Sequence, residues 1–208
     1  MISDTQKEEL VAEFSELSED DIVLPKEVYA HFGLLFFKFS LVEHSLINAL
    51  MFHHIGQELA AKRIKTKAQW EEAHDRGYDG AKKKTFGNLV KAIVEIQEFA
   101  PFANELTKIK SHRDYFAHHF FREEVGMYRS DEGCWHVLWA IKQLRDQILK
   151  LDCCLERPTK AMCKRLGVPY PSDEILEKSQ DQLIDEAQAR IDTGNPFAWL
   201  GKKTDGQN

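Results

Sequence analysis

A long apolar segment between Pro25 and His54 constrains the fold of this chain more than any other feature. Its large apolar residues recur with the period of an α-helix, and Pro25 suits the first turn of such a helix. The charged residues within it argue against a membrane span. The segment is therefore predicted to be the central buried helix of a bundle, with a core stripe made of Phe32, Phe36, Phe39, Leu46 and Leu50.

Most of the remaining chain repeats this helical period, and no segment alternates convincingly with the period of a β-strand. Further helices are predicted over residues 5–18, 85–100, 104–121, 137–155 and 172–192, with Thr85 as the N-cap of the second and Pro158 ending the helix over 137–155. The predicted apolar faces of three of them are Leu10, Phe14 and Leu17; Phe86, Leu89, Ile93 and Ile96; and Val137, Leu138, Ile141, Leu144, Ile148, Leu151 and Leu155. The predicted fold class is all-α: a four-helix bundle core with additional N-terminal and C-terminal helices.

Three regions follow from these helices. An acidic N-terminal helix occupies residues 1–24, a helical bundle occupies 25–156, and a C-terminal helical appendage with a frayed tail occupies 157–208. Within that tail, Phe197, Trp199 and Leu200 are interpreted as a docking segment.

The charge distribution limits the possible partners. A formal net charge of −6 argues against a protein that holds duplex DNA by overall charge, although it leaves room for a local basic groove. The acidic residues between Asp4 and Asp21 are interpreted as a solvated face rather than an electrostatic device. The four cysteines lack paired spacing and read as reduced thiols. Because no leader pattern is visible, a cytoplasmic protein without a membrane partner is expected.

A basic and irregular region is predicted over residues 56–84, where Gly77 and Gly80 suggest a loop. Basic runs bind phosphate backbones when they border a groove, and otherwise form a solvated rim; both interpretations stay open. Trp70 and Tyr78 could stack on bases or anchor the loop. The candidate RNA-binding residues here are Lys62, Arg63, Lys65, Lys82, Lys83 and Lys84.

The segment Ser111–Phe121 carries the candidate site. Leu106, Ile109, Phe116 and Phe120 form an apolar stripe, and Arg113 occupies the position that this stripe leaves empty. A buried guanidinium must pair with a carboxylate, bind an anion or reach water.

Two spacings describe the polar residues around Arg113. Asp114 and His118 are one helical turn apart, so the carboxylate is expected to orient the imidazole. Arg113 and His118 lie about 140° apart around an ideal helix, too far to meet one small ligand from a single intact helix.

Glu43 is a second charge in a predicted core stripe, since it stands between Phe39 and Leu46. Its sign is opposite to that of Arg113. The two helices are therefore predicted to face each other, with Glu43 pairing Arg113 in a bidentate ion pair.

Several chemistries are disfavoured. The chain has no glycine-rich phosphate loop, no nucleophile elbow and no zinc-type cysteine and histidine spacing. A metal site made by the pairs His53–His54 and His118–His119 is conceivable but lacks further ligands, so no metal and no cofactor is predicted. A nucleophilic pair of Cys134 with His136 is weaker still.

An arginine and a histidine beside an acid suit phosphodiester chemistry without a metal. An imidazole can move a proton on or off a ribose 2′-oxygen or the leaving oxygen, and a guanidinium neutralises the charge that grows at phosphorus. RNA is the natural substrate because its 2′-hydroxyl supplies an internal nucleophile.

The order Arg113, Asp114 and then His118 after four intervening residues resembles the signature of the HEPN superfamily. Leu41-Val42-Glu43-His44-Ser45-Leu46 is similar to the acidic first core helix of such proteins, and Lys84-Thr85-Phe86-Gly87-Asn88-Leu89 to the turn that opens their middle helix. The resemblance covers roughly residues 25–156. It implies a four-helix bundle that forms a homodimer, with the motifs of both protomers in one cleft.

HEPN proteins include metal-independent endoribonucleases of toxin–antitoxin, abortive-infection and antiviral defence systems, so an antitoxin or defence partner is implied. By resemblance, His118 is the general acid or base, Asp114 is its orienting partner, and Arg113 contacts the phosphate and the transition state. Glu43 and His119 are supporting residues. Phe120 stands where one subgroup carries a modifiable tyrosine. Other members are inactive binding modules for proteins or nucleotides. That reading remains the alternative.

Overall fold

The regular structure in the described part of the chain is helical throughout, which confirms the all-α prediction. A computed structural model describes residues 2–19 and 22–193, so the predicted docking segment at Phe197, Trp199 and Leu200 lies outside the described residues. The helices are α1 (Asp4–Glu13), α2 (Leu24–Ala60), α3 (Lys67–Lys82), α4 (Phe86–Val94), α5 (Ala103–His118), α6 (Phe120–Glu123), α7 (Asp131–Leu166) and α8 (Asp173–Asp192). Short 3₁₀ turns cover Ser15–Ser18, Ala100–Phe102 and Met127–Arg129.

Helix α2 is the central element, since α3, α4 and α7 all pack against it. Its buried face is rotated from the predicted stripe. Phe39 and Leu46 are buried as predicted, whereas Phe32, Phe36 and Leu50 are only half-buried. The other buried residues of α2 include Val28, His31, Leu35, Val42 and Ala49. A helix that is apolar on most of its surface gives a weak period, so several neighbouring stripes fit its sequence equally well.

Helices α2 and α7 run parallel to each other. Ser45 Oγ donates a 2.7 Å hydrogen bond to Asp152, and Gly56 lies directly against Leu166. A Cβ atom added at Gly56 would come within 2.7 Å of Leu166 Cβ, so only glycine permits this close crossing. The predicted core residues of α7, from Val137 to Leu155, are all buried.

The region predicted as an irregular basic loop instead forms α3. Thr66 caps this helix, because its hydroxyl accepts a 3.2 Å hydrogen bond from the Gln69 amide. Gly77 lies inside α3 and packs against His54, so it marks a close helix contact rather than a loop. Helix α3 follows α2 after a short turn in which Lys62 adopts a left-handed φ of 58°.

Pro158 does not end α7, contrary to prediction. The helix continues through Pro158 to Leu166 and ends at Gly167, whose φ is 68°. A left-handed glycine is a frequent helix terminator, and the Val168 amide closes the end with a 2.9 Å bond to the Cys163 carbonyl. The first compact unit accordingly covers residues 1–168, beyond the boundary placed at residue 156.

The apolar faces of α4 and of the motif helix α5 were predicted well. Phe86, Leu89, Ile93 and Ile96 are buried, although α4 ends at Val94 and Ile96 lies in the turn beyond it. In the motif helix Leu106, Ile109, Phe116 and Phe120 are buried. Helix α5 ends at His118 because His119 leaves helical geometry, with φ −123° and ψ −36°.

Two further segments complete the described chain. Helix α1 packs on α7 and buries Leu10, as the amphipathic pattern predicted. The described residues from Pro169 onward belong to a second unit, within which α8 covers the acidic helix predicted there. Helix α2 is long and apolar enough to cross a membrane by length and composition, but a single such helix packed as a bundle core does not establish a membrane protein.

Candidate functional site

An open groove with a volume of about 520 Å³ lies between α2, the start of α4 and the C-terminal half of α5. It brings together four of the predicted site residues, Glu43, Arg113, Asp114 and His118. The α4 side contributes Thr85, Phe86, Gly87, Asn88 and Lys91, and α5 also contributes Lys110.

The amino end of α4 forms one wall of this groove. Thr85 is the N-cap, as the sequence predicted, and its hydroxyl accepts a 3.3 Å hydrogen bond from the Asn88 amide. A Cβ atom at Gly87 would lie 3.1 Å from Lys110 Cε, so glycine lets the lysine stem of α5 approach closely. The first amides of a helix carry partial positive charge that favours anions.

Arg113 interrupts the apolar stripe of α5 without being buried by it. Its side chain is 35% exposed and reaches the groove. The guanidinium is therefore in contact with solvent and is not a buried charge. Its nearest carboxylate is Asp114, with an Nη1–Oδ1 distance of 3.5 Å. Such a long contact leaves most of the guanidinium donors available to another anion.

Asp114 is held mainly by Lys110, one turn earlier on α5. Lys110 Nζ donates a 2.8 Å hydrogen bond to Asp114 Oδ2. This bond is the main reason that the pKa of Asp114 lies below its ordinary value, and Arg113 adds to the effect. The carboxylate therefore stays ionised and moderates the positive charge of its two neighbours.

The predicted support of His118 by Asp114 is not formed. His118 is exposed, and within residues 2–19 and 22–193 it makes no hydrogen bond or ion pair with Asp114. The reason is competition, since Lys110 and Arg113 already occupy the carboxylate at closer range. The imidazole is exposed at the last position of α5, where its ring meets the ring of His119 edge to face at a centroid distance of 6.4 Å.

The separation of about 140° between Arg113 and His118 does not keep them apart. Both line the same groove from one helix of one protomer. The groove is broad enough to span that arc, and exposed Ala117 lies within the arc without blocking it.

The predicted bidentate pair between Glu43 and Arg113 is absent. Among the described residues no ion pair joins them, and Arg113 pairs with Asp114 instead. Glu43 is half-buried at the edge of the core face of α2, where Val42 takes the buried position. It remains part of the groove as an acidic residue on the wall opposite α5.

His119, predicted as a supporting residue, does not line the groove. Because the helix breaks at this residue, its ring turns toward α6 and stacks with Tyr115 at a centroid distance of 6.2 Å. Its Nδ1 atom lies 3.2 Å from Glu123 and 2.8 Å from Arg122 Nη2. The role of His119 is therefore local.

None of the basic residues predicted to bind RNA lines this groove. Arg63 is committed to a bidentate pair with Glu58, with two N–O distances of 2.8 Å. Since Glu58 is buried, this pair closes the α2–α3 turn rather than offering a free cation. Lys62, Lys65, Lys82, Lys83 and Lys84 are exposed, and Lys84 directly precedes the groove residue Thr85.

The structure does not bring together the residues of the possible histidine metal site or of the Cys134–His136 pair. His53 lies near Arg165, and His54 packs on Gly77, so neither joins His118 and His119. Cys134 is buried, and burial raises the pKa of its thiol, which is unfavourable for a nucleophile. Its proposed partner His136 instead lies 3.4 Å from Glu132.

Two cations of the groove were missed in the sequence. Lys110 stands four residues before Asp114, a spacing that signals an ion pair on one helix face. Lys91 stands one turn after Gly87 on α4. Neither is distinctive alone, because exposed lysines at helical spacing are common on any amphipathic helix.

The fold and this groove define an all-α helical bundle in which an arginine, a histidine and the amino end of a helix share one open site. No family model, no curated protein and no solved structure matches the chain. The chemistry of the groove residues is therefore the basis for a functional proposal.

Proposed function

We propose that the groove is the site of a metal-independent endoribonuclease of HEPN type that works in the cytoplasm in a toxin or phage-defence setting. The observation that carries the proposal is that Arg113 and His118 line one open groove. Arg113 has only a long contact with Asp114, and His118 makes no hydrogen bond among the described residues. Both side chains are thus available to a phosphodiester.

The chemistry assigns a separate task to each residue. His118 takes the proton of the ribose 2′-hydroxyl, whose oxygen attacks phosphorus while the bond to the 5′-oxygen breaks. Arg113 neutralises the charge that grows on the phosphoryl oxygens, and the leaving oxygen acquires a proton from water. Lys110, Lys91 and the amino end of α4 attract the flanking backbone. No external cofactor takes part.

A homodimer is part of the proposal. Tyr29, Phe32, Phe36 and Phe121 form an aromatic surface. Phe121 lies three residues after His118 in the sequence. Tyr29 and Phe121 are 56% and 40% exposed, and their rings are in contact, so they form one contiguous apolar patch. A second copy seated there would bring the two grooves together and cover these rings. An antitoxin or another defence protein is the rival occupant.

The test is RNA cleavage in excess chelator by the wild type and by Arg113→Ala and His118→Ala. The chain offers matched controls, because Arg122 and His119 are exposed, close in sequence and outside the groove. Loss of at least a hundredfold in both groove variants is expected, with Arg122→Ala and His119→Ala near wild type. Equal activity in all five proteins would remove the groove from the mechanism.

A second candidate function has its own support. The engagement of Asp114 by Lys110 and Arg113 leaves His118 without an orienting acid, which suits a groove that binds an anionic ligand without cleaving it. In that case the wild type binds RNA or a nucleotide, Arg113→Ala weakens binding, and no protein in the series cleaves.

A further inference from the structure

A second cluster of polar residues lies where the N-terminal segment meets α2, separate from the groove. Glu16 stands on the 3₁₀ turn Ser15–Ser18, and Glu27 and His31 stand one helical turn apart on α2. One donor atom from each of these side chains lies within 4.8 Å of the other two. Along α2, His31 is about 18 Å from Glu43, so the groove and this cluster are distinct.

His31 is the unusual member of the cluster. It is only 3% exposed, and its Nδ1 atom is buried without a hydrogen-bond partner. Buried imidazole nitrogens are normally satisfied, so such an orphan atom requires a reason. An imidazole nitrogen that carries no proton has a lone pair and can bind a metal ion.

The charges around the cluster leave its two carboxylates without counterions. Lys142 pairs with Glu9, Glu13 and Asp146 at 3.0, 3.5 and 2.8 Å, and Arg145 also pairs with Glu13. The contacts with Glu9 and Glu13 join α1 to α7 and engage both cations, although Arg145 Nη1 is buried without a hydrogen-bond partner. Within the described residues neither Glu16 nor Glu27 makes an ion pair, so both carboxylates are available as ligands beside His31.

We propose that Glu16, Glu27 and His31 bind a divalent transition-metal cation of the Zn²⁺ class. Zn²⁺ takes imidazole nitrogen and carboxylate oxygen at about 2.0–2.2 Å in a tetrahedral arrangement, so two ligand atoms of one ion stand about 3.3–3.6 Å apart. The three donor atoms of the cluster lie within 4.8 Å of one another. Glu16 is exposed, so its side chain can adjust to an ion held by Glu27 and His31.

The ion has a structural consequence. Glu27 and His31 lie on the central helix, whereas Glu16 lies on the N-terminal segment, so the ion ties that segment to the bundle core. Three protein ligands leave a further position for water. The cluster is independent of the ribonuclease chemistry, which needs no metal.

The test is calorimetric titration of the full chain with Zn²⁺. Because Cys153 and Cys154 are exposed and thiols bind zinc, the titration uses the double variant C153S/C154S as the parent. Glu16→Gln and Glu27→Gln remove one ligand each from surface-accessible positions with little risk to folding. Glu8→Gln is the matched control, since Glu8 is an exposed acid on α1 outside the cluster.

We expect one Zn²⁺ per chain in the parent and in Glu8→Gln, and affinity at least tenfold weaker in Glu16→Gln and Glu27→Gln. Hydrogen exchange of the amides of residues 15–18 should slow when Zn²⁺ is added to the parent but not to Glu16→Gln. Absence of Zn²⁺ binding in the parent overturns the proposal. So does binding that neither glutamine substitution weakens.

Discussion

Lys110 and Asp114 form the closest ion pair of the groove, with 2.8 Å between Nζ and Oδ2. The pair determines how the site is charged. It holds the Asp114 carboxylate beside Lys110 and Arg113, so Asp114 does not engage His118, and Glu43 is the remaining acid of the groove on the opposite wall.

Replacing Lys110 by methionine should raise the pKa of Asp114 toward its ordinary value of 3.8, because the largest cause of the lowered pKa is removed. Methionine keeps the apolar stem that packs against Gly87. Carboxyl-carbon NMR titration of Asp114 measures the change. Lys108→Met, which removes a lysine that does not line the groove, should leave the pKa of Asp114 where it is in the wild type. An unchanged value in Lys110→Met would mean that the pair does not form in solution.

Two glycines in α2 should respond oppositely to alanine. A Cβ atom at Gly33 meets nothing within 4 Å, so Gly33→Ala should stabilise the fold by up to about 1 kcal/mol through helix propensity. At Gly56 the same atom would clash with Leu166, so Gly56→Ala should cost about 1–2 kcal/mol. Urea unfolding of both variants measures the difference. If both alanines stabilise equally, the close crossing of α2 and α7 is wrong.

The pair of Glu98 with Arg165 should make stability depend on acidity. Arg165 donates bonds of 2.5 and 3.0 Å, which lower the pKa of Glu98 from its ordinary 4.5. Because the folded pKa is lowered, the stabilisation is present above pH 4.5 and is lost as pH falls through the folded value. Wild type should therefore exceed Glu98→Gln in stability at pH 6, and the difference should narrow below pH 4. A difference that stays constant with pH would contradict this role.

The sequence predicted the buried faces of α4, α5 and α7 because one clear apolar stripe runs along each of them. The sequence-based prediction was wrong where a residue type occurs both at helix ends and inside helices. Pro158 and Gly77 are both ordinary markers of helix ends or loops, yet the packing of α7 and α3 against α2 keeps both inside helices. Tertiary contacts offset the free energy by which proline and glycine destabilise a helix locally, and sequence periodicity cannot show those contacts.

In the candidate site, four of the predicted residues lie together but the predicted pairings between them are not formed. The sequence identified Arg113, Asp114, His118 and Glu43, and the structure places all four on one groove. The pairings within it were wrong, because each depends on which of several neighbouring cations lies closest to a carboxylate. A change of one rotamer decides between Lys110 and His118 as the partner of Asp114, and helical spacing allows either.

The proposed cleavage of RNA through its 2′-hydroxyl without a metal is tested most directly by the chemistry of the product ends. These ends are determined after incubation of RNA with the wild type in excess chelator. We predict a 2′,3′-cyclic phosphate and a 5′-hydroxyl, and no cleavage at a nucleotide whose 2′-hydroxyl is replaced by hydrogen. Products with 5′-phosphate ends, cleavage of the 2′-deoxy nucleotide, or no cleavage at all would contradict the account.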